Sequence, residues 1–219
     1  INIVRLIPQI FYYAHSYLQL ENKHLPTIFS VPCGNFGNIT AGLIAKKMGL
    51  PVHQFIASTN LNDVVPNYLK TGEYDPKPSI PTISNAMDVG DPSNMVRIMN
   101  MYSSIKELQS NMVSWSFNEN ETSNMIQQLN KQYKYIMDPH TSVAALGLLK
   151  YMKMQSINMN NIFLGTAHPG KFADIIEPII NSSIELPDRL KKIISLEKRS
   201  IELNNDYDEF YDYLLRTFQ

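Results

Sequence analysis

A glycine- and asparagine-rich turn is the first feature of this sequence whose residue types and spacing could do chemistry. It follows a short apolar run, precedes a segment with helical periodicity, and consists of Gly34, Asn35, Phe36, Gly37 and Asn38. A turn that leads from a strand into a helix presents unpaired backbone N–H groups at the positive end of the helix dipole, which suits a phosphate. The glycines can adopt positive φ or let an anion approach closely, and the asparagines tolerate left-handed geometry and can cap the helix.

This turn matches neither of the common nucleotide-binding loops. It contains no G-x-G-x-x-G spacing, and no G-K-[ST] sequence follows four residues after a glycine, so ATP and NAD are not its predicted ligands. A simpler interpretation is a tight strand-to-helix turn with Asn38 as the helix cap. Physics alone does not separate that interpretation from an anion site.

The elements that must position this turn follow from the pattern of apolar residues. Short runs rich in β-forming residues predict strands at 27–31, 52–57, 112–117 and 162–165. Helical periodicity predicts helices at 6–20, 39–48, 94–108, 119–134, 141–152, 171–180 and near 208–218, with Pro178 marking the end of the sixth.

Strand, loop, helix and strand within about 30 residues form a βαβ unit, and such units build parallel sheets. We therefore predict an α/β fold, an open, mostly parallel twisted sheet with helices on both faces. This domain would span residues 1–180, and residues 181–219 would form a C-terminal helical extension that packs on it.

Composition and charge narrow the class of protein. Hydrophobic residues make up 44% of the 219, which is enough for a substantial core. The 19 basic and 20 acidic residues are scattered, so neither nucleic acid nor a membrane surface is a predicted partner. One cysteine cannot build a disulfide framework, and no apolar run approaches the roughly 18 residues of a membrane span, so a cytoplasmic location is the default expectation. No metal-ligand spacing is present, and no metal site is predicted.

An ordered series of motifs from residue 1 to about 173 is much more specific than the turn alone. The motifs are I-N-I-V-R-L at 1–6 with Gln9, the segment 31–51 around the turn, S-T-N-L-N-D at 58–63, L-K-T-G at 69–72, S-N-A-M-D-V at 84–89, D-P-H-T at 138–141 and G-T-A-H-P-G-K-F at 165–172. Together they resemble the threonine synthases, fold-type II enzymes that depend on pyridoxal 5′-phosphate (PLP). Cys33 departs from the Ser or Thr that this family often places before G-N-F-G.

The resemblance implies that the turn holds the phosphate of PLP. Backbone N–H groups of Gly34 to Asn38 would grip the phosphate, and the Asn35 and Asn38 side chains would add hydrogen bonds. Phe36 would pack beneath the loop. Thr166 matches the family position whose hydroxyl contacts the pyridine nitrogen of PLP. A neutral hydroxyl leaves this nitrogen largely unprotonated, so the PLP ring withdraws electrons less strongly. This favours elimination and replacement over transamination. Without the motif, a strand-end hydroxyl bonded to its own backbone is the simpler interpretation of Thr166.

Four residues are candidates for binding the substrate. Asn2 and Arg5 lie one helical turn apart, so both can face a cleft, and Arg5 suits a carboxylate or a phosphate unless it is simply solvated. His168 and Lys171 flank the T-A-H-P turn, where they would steady the turn or face the substrate phosphate. A histidine at a helix start is more often structural.

Three further polar residues have weaker assignments. His140 would lie at the edge of the pocket, although an ordinary turn with Thr141 as the helix cap explains it equally well. Asp63 and Asp88 would brace loops.

The sequence lacks the residue that holds PLP covalently. Threonine synthases bind PLP as a Schiff base on a lysine in an F-K-D-type motif, and this sequence contains no such motif. We therefore expect no catalytic residue in this chain, with the Schiff-base lysine upstream. Because the first residues resemble neither an initiator methionine nor a signal sequence, we expect the chain to begin inside a larger protein.

The resemblance implies the C-terminal portion of an enzyme that converts O-phospho-L-homoserine and water to L-threonine and phosphate. This portion would be inactive without the missing N-terminal segment. Two alternatives stay open at this point. One is another fold-type II PLP lyase or dehydratase, and the other is a non-catalytic phosphate-ligand-binding module or decayed remnant that kept the turn.

Overall fold

The structure is a computed structural model that describes residues 3–218. Its strands are β1 (Thr27–Pro32), β2 (Gln54–Thr59), β3 (Met112–Ser116) and β4 (Asn160–Phe163). Its helices are α1 (Ile7–Leu18), α2 (Gly37–Lys47), α3 (Val64–Thr71), α4 (Met95–Met101), α5 (Ile105–Gln109), α6 (Glu119–Tyr133), α7 (Pro139–Met154), α8 (Ala173–Ile180), α9 (Asp188–Ile194) and α10 (Tyr207–Thr217). Single 3₁₀ turns form at Ile3–Arg5, Asn85–Met87 and Pro169–Phe172.

The four strands form one parallel sheet in the order β3-β2-β1-β4. The chain moves outward from β1 to β2 and β3, and then returns to place β4 on the other side of β1. Phe29 of β1 pairs with Phe55 on one side and with Ile162 on the other. The strand order therefore reverses between β1 and β4, and in open α/β sheets ligands bind beyond the carboxyl ends of the strands at such a point.

Helices cover both faces of this sheet, as predicted. On one face Phe29 and Phe55 pack around the ring of Tyr13 from α1, with ring centroids 5.1 and 5.5 Å from it. On the other face Ile28 belongs to a cluster with Leu148 of α7. Since successive strand residues point to opposite faces, the neighbours Ile28 and Phe29 enter different clusters, and both are fully buried.

Close approach of α2 to the sheet depends on Gly42. A Cβ atom at this position would stand 2.6 Å from the Phe55 ring and 2.7 Å from the Tyr13 ring. Only glycine lets the helix pack at this distance, and the same packing fixes where α2 begins, at the end of the 34–38 turn.

Two strand predictions were displaced by two residues. The strand predicted at 52–57 is β2 at Gln54–Thr59, because Val52 lies in a turn where its N–H donates to the carbonyl of Leu50 at 2.8 Å. The strand predicted at 162–165 is β4 at Asn160–Phe163, because Asn160 already pairs in register with Thr27. Because β4 ends at Phe163, Gly165 lies outside the sheet.

Several helix predictions were wrong in their boundaries. The helix predicted at 94–108 is two helices, because Tyr102 is extended and the Ser104 side chain caps α5. Pro178 lies inside α8 instead of ending it, and the helix stops at Asn181, which is left-handed at φ 52°. Helix α7 begins two residues before the predicted start at 141, since Asp138 caps it.

Helices α3 and α9 were not predicted. The described chain divides after Ile184 into two compact units, and the second of them contains α9 and α10. In residues 3–218 no helix combines the length and the apolar character that crossing a membrane requires.

Candidate active site

Two of the predicted site loops meet because their strands are neighbours. β1 leads through Cys33 into the 34–38 turn, and β4 leads through Leu164 to Gly165 and Thr166. The pairing of β1 with β4 continues past the strand end, where the Leu164 N–H donates to the Ser30 carbonyl at 3.0 Å. The carboxyl ends of both strands therefore place Thr166 and the 34–38 turn at the same edge of the sheet.

A run of unpartnered backbone donors lies at the 34–38 turn. Within residues 3–218, the N–H groups from Gly34 to Ile39 have no hydrogen-bond acceptor, whereas the Cys33 N–H donates to Ser58 and the Thr40 N–H to Phe36. The last of these donors belong to the first turn of α2, where the helix dipole favours negative charge. This set of donors fits an anion.

The backbone of the turn differs from the prediction. Gly34 and Gly37 do not adopt positive φ; Phe36 does, at 58°, and it serves as the N-cap of α2. Asn38 is consequently the second residue of the helix and not its cap. A left-handed aromatic residue costs about 1–2 kcal/mol, and burial of the Phe36 side chain, which is 3% exposed, offsets this with roughly 1.5–3 kcal/mol.

The two asparagines of the turn are held through their oxygen atoms. The Asn35 Oδ1 accepts from the Ser93 N–H at 2.6 Å and from the Ser93 hydroxyl at 3.0 Å. The Asn38 Oδ1 accepts from the Tyr13 hydroxyl at 2.5 Å. Neither Nδ2 amide donates to an acceptor within the described residues, so both side chains keep their donors available beside the unpartnered backbone N–H groups.

A cavity of about 700 Å³ opens between one face of α1 and the loop after β4. The polar groups at its wall include those of Arg5, Gln9, Tyr12, His15, Asn38 and Thr166. The Thr166 hydroxyl makes no hydrogen bond within the described residues. The structure thus places three predicted site residues, Arg5, Asn38 and Thr166, around one space.

The other residues predicted to bind the substrate do not line this cavity or lie outside the described residues. His168 and Lys171 are absent from the cavity wall, and the His168 Nδ1 accepts from the Gly170 N–H at 3.1 Å, which is a structural role. Lys171 is exposed and makes no ion pair within residues 3–218. Asn2 lies outside the described residues. Gln9 and Tyr12 were not predicted to line a site, although they follow Arg5 at spacings of four and seven residues, which is the helical signal that would have found them.

A partly buried network of hydrogen bonds braces the 80–88 loop, and it joins residues of two of the motifs. The Asp88 Oδ1 accepts from the Asn60 side chain at 2.8 Å and from the Thr82 hydroxyl at 2.7 Å, and the Asp88 Oδ2 accepts from the Thr82 N–H at 2.9 Å. Asp88 therefore braces a loop, whereas the Asp63 side chain makes no hydrogen bond within the described residues. Met87, in this loop, packs against Gly34.

The N-terminus of α7 carries a buried pair of titratable residues. The Asp138 Oδ1 contacts the His140 Nδ1 at 2.7 Å, and the Thr141 hydroxyl donates to the Asp138 Oδ2. Burial alone would raise the pKa of Asp138, but the hydrogen bonds from His140 and Thr141 outweigh it, so this pKa lies below its ordinary value. Asp138 is thus a charged acceptor, and the caps on α7 come from it and not from Thr141.

The described side chains near the turn offer neither a reactive nucleophile nor a metal site. Burial raises the pKa of the Cys33 thiol well above its usual range, so this side chain stays protonated and is a poor nucleophile. Within residues 3–218, no three His, Cys, Asp or Glu side chains are grouped to hold a metal ion. The site is therefore suited to binding an anion, and the described side chains at the turn do not form a nucleophilic centre.

Comparison with known proteins gives consistent matches. The family model described as "Threonine synthase, C-terminal" matches residues 141–214. The chain is 41% identical over 220 residues to the threonine synthase of Buchnera aphidicola subsp. Schizaphis graminum, covering 98% of this chain and 49% of that protein. The chain thus spans about half the length of the curated relatives it matches.

Solved structures agree with the sequence matches. The crystal structure of threonine synthase from Escherichia coli superposes with a TM-score of 0.86 at 35% identity, over 98% of this chain and 50% of that one. The structure of PLP-bound threonine synthase from Brucella melitensis gives a TM-score of 0.87 at 27% identity, over 97% of this chain and 50% of that one.

Proposed function

The chain belongs to the threonine synthase family, and on that premise we propose that it holds the phosphate of PLP at the 34–38 turn and forms part of a threonine synthase active site. The observation that carries the proposal is the run of N–H groups from Gly34 to Ile39 without acceptors, at a helix N-terminus. The Nδ2 groups of Asn35 and Asn38 would add two more donors. Phe36 stays in the core and contributes only its backbone.

Thr166 would act on the cofactor ring. When bound, PLP supplies the electron sink for carbanion chemistry. The Thr166 hydroxyl would meet the ring nitrogen as a neutral partner and leave it largely unprotonated, which limits the sink and favours elimination and replacement. Support comes from its position, since it lies in the wall of the cavity and has no protein partner within the described residues.

The substrate proposed for the completed enzyme is O-phospho-L-homoserine, which reacts with water to give L-threonine and phosphate. Arg5 would bind its carboxylate or phosphate, because a guanidinium binds either group with two parallel hydrogen bonds. Arg5 is exposed and its side chain lines the cavity. His168 and Lys171 do not line this cavity, and their assignment to the substrate phosphate stays a prediction.

We propose that a second part of the enzyme supplies the Schiff-base lysine. The sequence has no F-K-D-type motif, and the curated relatives are about twice as long as this chain. The chain alone would bind the cofactor phosphate without catalysing the reaction.

A complementation experiment tests this function. The chain is mixed with the half of the Escherichia coli relative that it does not match, PLP is added, and phosphate release from O-phospho-L-homoserine is measured. We expect release from the mixture and none from either part, with an Arg5→Ala mixture showing a raised KM. A PLP-loaded mixture that deaminates serine or threonine but releases no phosphate would indicate a different lyase or dehydratase.

A further inference from the structure

We propose that His140 is a positioning residue for the 34–38 turn, acting through the backbone of Ala86; this rests on the function proposed above. His140 is buried, with 4% exposed, and its Nε2 accepts from the Ala86 N–H at 3.2 Å. The carbonyl oxygen of Ala86 and the Cα of Met87 are the atoms that press against Gly34. The same short segment is therefore held by His140 through its N–H and meets the turn through its carbonyl.

The tautomer of His140 follows from its two partners. A neutral imidazole has one donor and one acceptor nitrogen. Because the Nε2 accepts from Ala86, the proton lies on Nδ1, which donates to the Asp138 Oδ1 at 2.7 Å. The His140 backbone N–H also donates to the same carboxylate at 2.9 Å, so Asp138 fixes both the ring and its tautomer.

The same helix end also supports the second loop of the site. The His140 ring lies 4.9 Å from the ring of Phe172, which ends the T-A-H-P-G-K-F motif. A Cβ atom at Gly165 would stand 3.7 Å from the Thr141 Oγ1. The first turn of α7 thus contacts the segments on either side of Thr166 and, through Ala86, the 34–38 turn.

His140 does not itself line the cavity. Its effect on a bound phosphate would pass through the backbone of Ala86, whose N–H donates to His140 and whose carbonyl oxygen lies against Gly34. The motifs S-N-A-M-D-V and D-P-H-T are about fifty residues apart in the sequence. In the fold they contact each other and together hold the backbone that packs against the turn.

Two substitutions separate the hydrogen bond from ring packing. His140→Phe keeps a ring against Phe172 but removes the acceptor, and His140→Gln places an amide oxygen where Nε2 accepts. The readouts are amide hydrogen exchange at Ala86 and the dissociation constant for pyridoxine 5′-phosphate, which has the cofactor's phosphate but no aldehyde to react with lysines. Folding of each variant is checked by the exchange protection of β1 and β2.

We expect His140→Phe to speed exchange at Ala86 and to weaken binding, each by about tenfold, the scale of one lost hydrogen bond. His140→Gln should restore both values to within about threefold of the parent. Unchanged exchange at Ala86 in a folded Phe variant, or equal defects in the Phe and Gln variants, would overturn the proposal. If neither variant folds, ¹⁵N NMR of the parent decides: a proton on Nδ1 supports the proposal and a proton on Nε2 overturns it.

The two proposals fail in different ways. A parent protein that does not bind pyridoxine 5′-phosphate overturns the proposed function, while exchange at Ala86 still decides whether His140 anchors the loop. A parent that binds, together with a His140→Phe variant that binds equally well, overturns the role of His140 and leaves the proposed function standing.

Discussion

The Cα atom of Met87 lies so close to Gly34 that a Cβ atom at position 34 would stand 2.6 Å from it, and 2.8 Å from the Ala86 carbonyl oxygen. Backbone atoms cannot move aside as a flexible side chain can. We therefore expect Gly34→Ala to displace the 80–88 loop, to destabilise the fold by about 1–3 kcal/mol, and to weaken pyridoxine 5′-phosphate binding at least tenfold. Denaturant unfolding and ligand titration measure the two effects.

The matched control is Gly37→Ala in the same turn. There the nearest atom to a new Cβ would be the Asn94 Nδ2 at 3.5 Å, an ordinary contact. Stability and binding should stay close to those of the parent. Equal losses in the two variants would show that steric contact with Met87 is not what makes Gly34 necessary.

Substitution of Thr166 should separate turnover from binding in the complemented enzyme. Thr166→Val removes the hydroxyl at the proposed ring nitrogen contact, so we expect kcat to fall about ten- to a hundredfold. The dissociation constant for PLP should change by no more than about threefold, because the phosphate supplies most of the affinity. Thr166→Ser keeps the hydroxyl and should retain most of the turnover. Normal turnover in the Val variant would exclude the proposed role.

The pH dependence of stability should carry the signature of Asp138. The folded-state pKa of this group lies below its ordinary value of 3.8, so its stabilisation is fully present above that pH and is lost as the pH falls through the folded-state value. Urea unfolding from about pH 6 to about pH 3 should show the parent more stable than Asp138→Asn, with the difference shrinking below about pH 4. A difference that grows on acidification would contradict the assignment of Asp138 as a buried, charged acceptor.

Removal of Asp88 should damage the 80–88 loop. Asp88→Ala leaves the donors of Asn60 and Thr82 without their shared acceptor, at a cost of roughly 2–4 kcal/mol in the free energy of unfolding. Asp63→Ala is the control, since this side chain has no hydrogen bond within residues 3–218, and a change within about 0.5 kcal/mol is expected. Thermal or urea unfolding compares the two; similar losses would mean that the network around Asp88 contributes little.

Much of the fold was predictable because strand and helix patterns in this chain are strong. β1 and α6 were placed within one residue of their ends, and the parallel sheet with two covered faces follows from a single βαβ unit. The ends of β2 and β4 are displaced partly because polar residues, the buried Ser58 and the half-buried Asn160, belong to the sheet although they resemble loop residues in the sequence.

The motifs named residues that lie around one cavity, but they did not predict the backbone geometry of the turn, and the binding roles of these residues stay predictions. Motifs pointed to Asn38 and Thr166, but the sequence offered left-handed geometry to the glycines and asparagines of the turn, whereas the residue that adopts it is Phe36, with its side chain in the core. The contact between His140 and Ala86 joins residues far apart in the chain, and no local pattern predicts such a pairing.

An NMR titration of this chain with pyridoxine 5′-phosphate tests most directly whether the 34–38 turn binds the phosphate. We expect saturable binding, with the largest amide shifts at residues 34–39 and a further shift at Thr166. Saturation with shifts confined to another part of the chain, or no saturable binding by the folded protein, would contradict the claim that the 34–38 turn holds the cofactor phosphate.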